Sequence, residues 1–403
     1  MGGLLPVDDA RARMFAAAPA VTTEKVSVDA CAGRILAAPV IAETTQPSYP
    51  ASAMDGYAVR FADVAKTPAH LNVIGEAPAG AAFDGDLGPG EAVRIFTGGV
   101  VPGGADHVVI QEDVEGVGEQ DITVTAPQDR PANVRAAGLD FRNGDALLPI
   151  GVKLDGPRPA LVAAANLAQV EVYRKPKVAL LATGDELVAP GANPGRGQVV
   201  SSTPYGLLSL ISEWGGEPRY DGLARDDVAD IRAKIDLAAD ADIVVPIGGA
   251  SVGDYDLVKK ALDAAGLEID FAKIAVKPGK PTWFGRLDRR LVLGLPGNPA
   301  SALVCAYLFL KPLMFAMTGR RPADATPEWS ARLTEDVPKN GAREAYLRAR
   351  LARGGDGALT VSRAGLQDSS LLTPFATADC LIIQPPQHAA GAGETVTVIP
   401  LTE

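Results

Sequence analysis

At 403 residues the chain exceeds what one ordinary hydrophobic core organises, and its length calls for roughly two to four domains. Hydrophobic residues at 47% and charged residues at 22% exclude long disorder, while a formal net charge of −11 excludes nucleic acid or an anionic membrane as the main partner, because long-range attraction to either needs surplus Lys and Arg. Aromatics at 5% exclude a base-stacking platform.

The first residues, MGGLLPVDDARARM, hold no basic start followed by an apolar run, so an intracellular, cytoplasmic protein is expected. The odd and scattered Cys31, Cys305 and Cys380 suit a reducing compartment and read as packing residues. From Pro6 to about Ala38 a helical start is interrupted by Val26-Ser27-Val28 and Gly33-Arg34-Ile35-Leu36. Between about Asp55 and Asn133 short Val/Ile-rich runs such as Leu71-Asn72-Val73-Ile74 and His107-Val108-Val109-Ile110 alternate with Gly, Pro and Asp, the signature of a small β domain. A helical pattern resumes at Pro159-Ala160-Leu161-Val162, which makes that β domain an insertion into an elongated first segment.

From Lys177 the rhythm changes to strand, glycine turn, helix. Val178-Ala179-Leu180-Leu181 runs into Thr183-Gly184-Asp185-Glu186, Asp242 to Ile247 into Gly248-Gly249, and Leu291 to Leu295 into Pro296-Gly297-Asn298-Pro299. Strands with turns at their carboxyl ends predict a parallel sheet. Thr203 with Pro204 starts one helix; Asp226 or Asp227 caps another over 228–239; Gly266 ends a third begun near Asp256; and Asn298-Pro299 opens an apolar helix expected to stop at Lys311-Pro312. Beyond Pro322 short alternating runs predict a terminal β domain. The fold class expected is α/β plus β and multidomain: residues 1–45 with 140–175 elongated and discontinuous, 46–139 the inserted β-rich domain, 176–322 a three-layer α/β domain with a mostly parallel sheet, and 323–403 a C-terminal, barrel-like β domain.

In an open parallel sheet the loops after the carboxyl ends gather at one edge, where glycines let a ligand approach the backbone and helix N-termini favour negative charge. Lys273, Lys277 and Lys280 in FAKIAVKPGKPTW supply cations for a phosphate or oxyanion; a solvated lysine face is the bland reading. Asp185, Glu186, Asp226, Asp227, Asp254 and Asp256 collect at strand or helix ends, some as caps and some as hard ligands for Mg²⁺. Gly249-Ala250-Ser251-Val252-Gly253 also matches the nucleophile elbow of serine hydrolases, but only His388 follows the serine. Walker A and G-x-G-x-x-G patterns are absent.

SAMDGYA over 52–58, IFTGG with Thr97, LLATGDEL, PIGGASVGDYD, VKPGKP and LPGNPASA occur in one order that closely resembles the molybdopterin molybdenumtransferases, the family that includes the gephyrin E domain, from about Pro6 to Leu401. The resemblance implies four domains, a homodimer, and the last step of molybdenum cofactor synthesis: adenylated molybdopterin and molybdate, assisted by Mg²⁺, give molybdenum cofactor and AMP, with possible transfer to molybdoenzymes or their chaperones. By matching motifs, it places functional carboxylates at Asp55, Asp140, Glu186, Asp227 and Asp256, with Asp55 reaching across the cleft from the β domain and Thr97 lining the same cleft. It assigns phosphate and oxyanion binding to Lys273 and Lys277, beside Lys280, and substrate contacts to Gly184, Gly248, Gly249, Ser251, Pro296, Gly297, Pro299, Arg135 and Ser369. Mg²⁺ would rest on Glu186, Asp256 and Asp55. The alternatives are a molybdopterin adenylyltransferase, whose single domain resembles 176–319, a non-catalytic scaffold of the same fold, and, remotely, a serine hydrolase.

Overall fold

The structure, a computed structural model, describes residues 3–248 and 257–402. Its centre is a six-stranded sheet in the order Glu217–Ala224, Lys177–Thr183, Ile243–Ile247, Arg290–Gly294, Trp283–Leu287, Glu268–Ala272. The first four run parallel, Trp283–Leu287 runs antiparallel to them, and Glu268–Ala272, antiparallel to that strand, returns to the first direction. Strand alternation explains the layers: Val178, Leu180 and Ala182 enter one apolar cluster with the helices Thr203–Glu213 and Pro299–Cys305, while Leu181 enters another with Ile231, Ile235, Val258 and Leu262. Asp227, the cap of Val228–Leu237, accepts from the amides of Ala229 at 2.9 Å and Asp230 at 3.0 Å. Ser202, rather than Thr203, occupies the cap position of Thr203–Glu213, and its side chain makes no cap bond.

The apolar helix departs from expectation. It does not stop at Lys311-Pro312; through a wide turn over Ala306–Leu310 it continues as Lys311–Met317, 19 residues in all and 94% buried in its most apolar stretch. Pro312 has no amide to offer the carbonyl of Leu308 four residues back, and Arg11 Nε donates to that oxygen instead at 3.0 Å. The donor comes from the helix Val7–Ala17, whose Val7, Ala10 and Met14 are buried in the α/β core. This helix, read from sequence as part of the elongated segment, packs on the α/β layer because its apolar positions at i, i+3 and i+7 form one stripe.

The chain continues into a small sheet where Thr23–Ser27 and Ile35–Leu36 flank Gln169–Tyr173, so segments far apart in sequence share one core around Leu36, Leu154, Val162 and Val172. Between them lies a six-stranded sheet from Gly56–Val59 to Asp121–Val124. Gly56 pairs there with Ile95 and Ile110, and a Cβ at this position would overlap the Val109 carbonyl oxygen. Its glycine therefore serves close strand approach.

Past residue 329 five strands close on themselves, because Glu344–Arg353 pairs with both Leu359–Arg363 and Cys380–Gln384. The short strand Val276–Lys277 of the α/β layer joins this barrel in parallel with Glu344-Ala345.

Candidate active site

The turns after Thr183, Ile247 and Gly294 meet at one edge, in a cleft of about 1320 Å³. Gly184, Glu186, Gly248, Pro296, Gly297 and Pro299 line it. The second and third loops touch: a Cβ on Gly297 would lie 3.5 Å from Gly248 Cα, and Gly248 itself has φ +92°. Gly248 needs glycine for its conformation, whereas a Cβ on Gly297 would make an ordinary contact. The helices beginning at Thr203 and Pro299 open onto the same space, so the positive ends of their dipoles add partial positive charge there.

The lining is also cationic. Lys273, Lys277 and Lys280 line the cleft with Arg343 of the barrel. Among the described residues the lining holds these four cations against Glu186, Asp226 and Asp368, an inversion of the chain's −11 balance. Lys273 adopts φ +72°, and its carbonyl accepts from Leu5 N at 3.2 Å. Lys277 is fixed by the strand pairing to Ala345, while Arg343 Nη1 donates to the Val276 carbonyl at 3.2 Å. Gly279 at φ +117° is a second obligatory glycine: a Cβ would overlap the Cys305 sulfur beneath the loop, and Thr282 Oγ1 donates to the Gly279 carbonyl at 2.8 Å. Burial pushes the Cys305 thiol up to about 12, so this cysteine packs rather than reacts.

Ser369 reaches the cleft from the barrel side, where its Oγ accepts from Asn298 Nδ2 at 2.8 Å and its carbonyl from Ala300 N at 3.1 Å. Sequence reading missed Asn298, Arg343 and Asp368 as lining residues. Asn298 was visible in the PGNP turn, whereas nothing local to GAREAYL announces Arg343, whose position follows from the pairing at Lys277.

Of the carboxylates, Glu186 and Asp226 line the cleft, while Asp227 does not and is engaged as a helix cap. Gly249, Ser251 and Asp256 lie outside the described residues. No group of three or more His, Cys, Asp or Glu that could hold a metal occurs among the described residues. His388 lines a separate cavity with Asp8 and Arg11.

Asp55, Thr97, Arg135 and Asp140 do not line this cleft, contrary to the expectation for Asp55 and Thr97. Val134-Arg135 pairs with Ala51-Ser52, and Asp140 N donates to the Gln46 carbonyl at 3.0 Å. Asp55 Oδ1 accepts from Thr97 N at 2.7 Å and Thr97 Oγ1 at 2.8 Å. The Thr97 amide and hydroxyl, helped by Arg94, hold the Asp55 carboxyl below its ordinary range. Tyr49, Met54 and Leu139 are exposed apolar side chains on these segments, and Val199, Val200 and Tyr205 are exposed near the cleft.

Comparison with known proteins covers nearly the whole chain. Residues 5–166 match the MoeA N-terminal region (domain I and II), 179–316 a probable molybdopterin binding domain, and 330–401 the MoeA C-terminal region (domain IV). A molybdopterin molybdenumtransferase of Haemophilus influenzae is 36% identical over 400 residues, 98% of each chain. One of Nostoc is 39% identical over 334 residues, 81% of this chain and 76% of the relative. The crystal structure of a molybdopterin biosynthesis MoeA protein from Pyrococcus horikoshii superimposes with a TM-score of 0.82 at 33% identity, covering 100% of both chains.

Proposed function

The chain belongs to the molybdopterin molybdenumtransferases, and on that premise we propose that it inserts molybdenum into adenylated molybdopterin, releasing AMP. The observation that carries this reading is the convergence of three glycine turns, two helix N-termini and four cations in one cleft of an acidic protein. Such a cleft suits two anionic reactants at once. Lys277, Lys273 and the amides near Gly297 and Pro299 would hold the diphosphate, while Arg343 and Lys280 balance the tetrahedral molybdate dianion. Holding both in one place removes the orientational cost of their encounter. Glu186 would hold Mg²⁺, with Asp256 as its proposed partner; when bound, the ion neutralises diphosphate oxygens.

Asp55 and Thr97 enter the reaction in this proposal from a second copy of the chain. A homodimer would carry the Asp55 turn, with Tyr49, Met54 and Leu139, to the partner's cleft, and Arg135 and Asp140 would come with it. The domain division is proposed as 1–45 with 140–175, 46–139, 176–322 and 323–403, less the first helix, which belongs with the α/β layer. The buried, unpaired thiols fit a cytoplasmic setting.

The matches on both sides of the central domain disfavour an adenylyltransferase, and the relatives' shared name disfavours a serine hydrolase. Product analysis after mixing purified protein, adenylated molybdopterin, molybdate and Mg²⁺ tests the proposal: molybdate-dependent AMP release is expected, and should fall at least about tenfold in Lys277→Ala and Glu186→Ala. Normal AMP release in both variants overturns the site, and none from the native chain favours the scaffold.

A further inference from the structure

Glu186 projects from an exposed turn, and something must hold that turn in place for its carboxylate to act at a defined position. Its trailing side is tied by Val199 N, which donates to the Glu186 carbonyl at 2.8 Å. On the leading side stands a reciprocal pair between neighbouring loops: Asp185 N donates to Asp226 Oδ2 at 3.3 Å, and Asp226 N donates to Asp185 Oδ1 at 3.2 Å. We propose that Asp226 is a positioning residue for Glu186, acting through this closed amide and carboxylate exchange with Asp185 rather than by touching either reactant. The inference rests on the assignment of Glu186 given above.

Asp226 is suited to the task because both its neighbours are anchored. Arg225 N donates to Asp230 Oδ2 at 2.7 Å, and Asp227 caps the helix Val228–Leu237. Asp226 therefore stands on a rigid helix start, and its two bonds transmit that rigidity across the sheet edge to the residue preceding Glu186. A carboxylate accepting from an amide makes a charge-assisted bond, but the geometry needs only an acceptor oxygen. The amide oxygen of asparagine supplies one without the charge. A residue that contacted diphosphate or a divalent ion would need the charge itself, and this separates the two roles.

The test is steady-state AMP release by the full chain with adenylated molybdopterin, molybdate and Mg²⁺, together with circular dichroism and the urea midpoint of each variant. Asp226→Ala and Asp185→Ala are expected to lower kcat by about one to two orders of magnitude with little change in KM, the cost of an ångström-scale misplacement. Asp226→Asn should stay within about threefold of the native rate, since the acceptor is kept. The double alanine variant should be no worse than either single one, because the pair acts as a unit. An Asp226→Asn variant as poor as Asp226→Ala overturns the inference, as does an unaltered Asp226→Ala or a loss of rate that tracks loss of folded protein. Glu186→Ala, run alongside, separates the levels: if it is inactive while Asp226→Ala is normal, only the positioning role falls, and if Glu186→Ala is itself normal, both readings fall.

Discussion

Asp55 and Thr97 form a closed unit in which one carboxylate oxygen receives both the amide, at 2.7 Å, and the hydroxyl, at 2.8 Å, of the same residue. Both bonds favour the ionised acid, so its pKa is depressed in the fold. The resulting stabilisation is present above the unfolded value, about 3.9, and disappears as pH falls through the folded value. Thr97→Val removes one of the two donors and should move the Asp55 titration upward, toward the ordinary range. Carboxyl-carbon NMR titration reads this directly; an unmoved midpoint would mean that the amide alone sets it.

The separation of Asp55 from the cleft that holds Glu186 makes a prediction about mixtures. If each active site takes Asp55 from one copy and Glu186 from the other, Asp55→Ala and Glu186→Ala dimers are each inactive, but a mixed dimer contains one complete site. Dissociating and reassociating an equimolar mixture should restore about a quarter of native AMP release, following the isologous symmetry of a two-fold dimer. No recovery, with mixed dimers present by native mass spectrometry, would place both residues in the same protomer's site.

Arg11 and Pro312 are coupled through the carbonyl of Leu308. Arg11→Met keeps most of the packing but leaves that buried oxygen without its donor, so stability should fall by about 1–3 kcal/mol, the cost of an unsatisfied buried polar group. The urea midpoint measures the loss. The cleft residues do not depend on this contact, and AMP release by the folded fraction should be retained.

Gly279 faces the sulfur of Cys305. Gly279→Ala meets both that atom and a positive φ, so unfolding should become easier by about 1–3 kcal/mol. Adding Cys305→Ala removes the clash and leaves the backbone strain; the double variant should recover part of the loss beyond what additivity allows. A strictly additive result would show that the loop escapes the sulfur by moving.

The legible part of this protein was local. Each glycine turn follows an apolar strand directly, so Gly184, Gly248 and Gly297 declare themselves in a few residues of text, and a parallel sheet then brings their loops to one edge. What could not be read depends on pairings across long stretches of chain. Arg343 reaches the cleft because Val276-Lys277 adds to a barrel edge dozens of residues further on, and Asn298 meets Ser369 through the closure of that barrel. Arg11 completes a helix nearly 300 positions away, which is why Lys311-Pro312 looked like a stop: a proline ends a helix only when nothing else serves the carbonyl it abandons. Asp226 and Asp227 are adjacent and chemically alike, yet the turn directs only Asp226 to the cleft.

The two-residue strand at Val276-Lys277 also limits how the protein can breathe. Hydrogen-bonded to the barrel on one side and continuous with the α/β layer on the other, it welds those bodies into a single jaw carrying the lysines, Arg343 and Ser369. Widening the mouth for a bulky pterin nucleotide then falls to the segment from Gly184 to Ser202, which is tied to the neighbouring loop by the Asp185–Asp226 exchange.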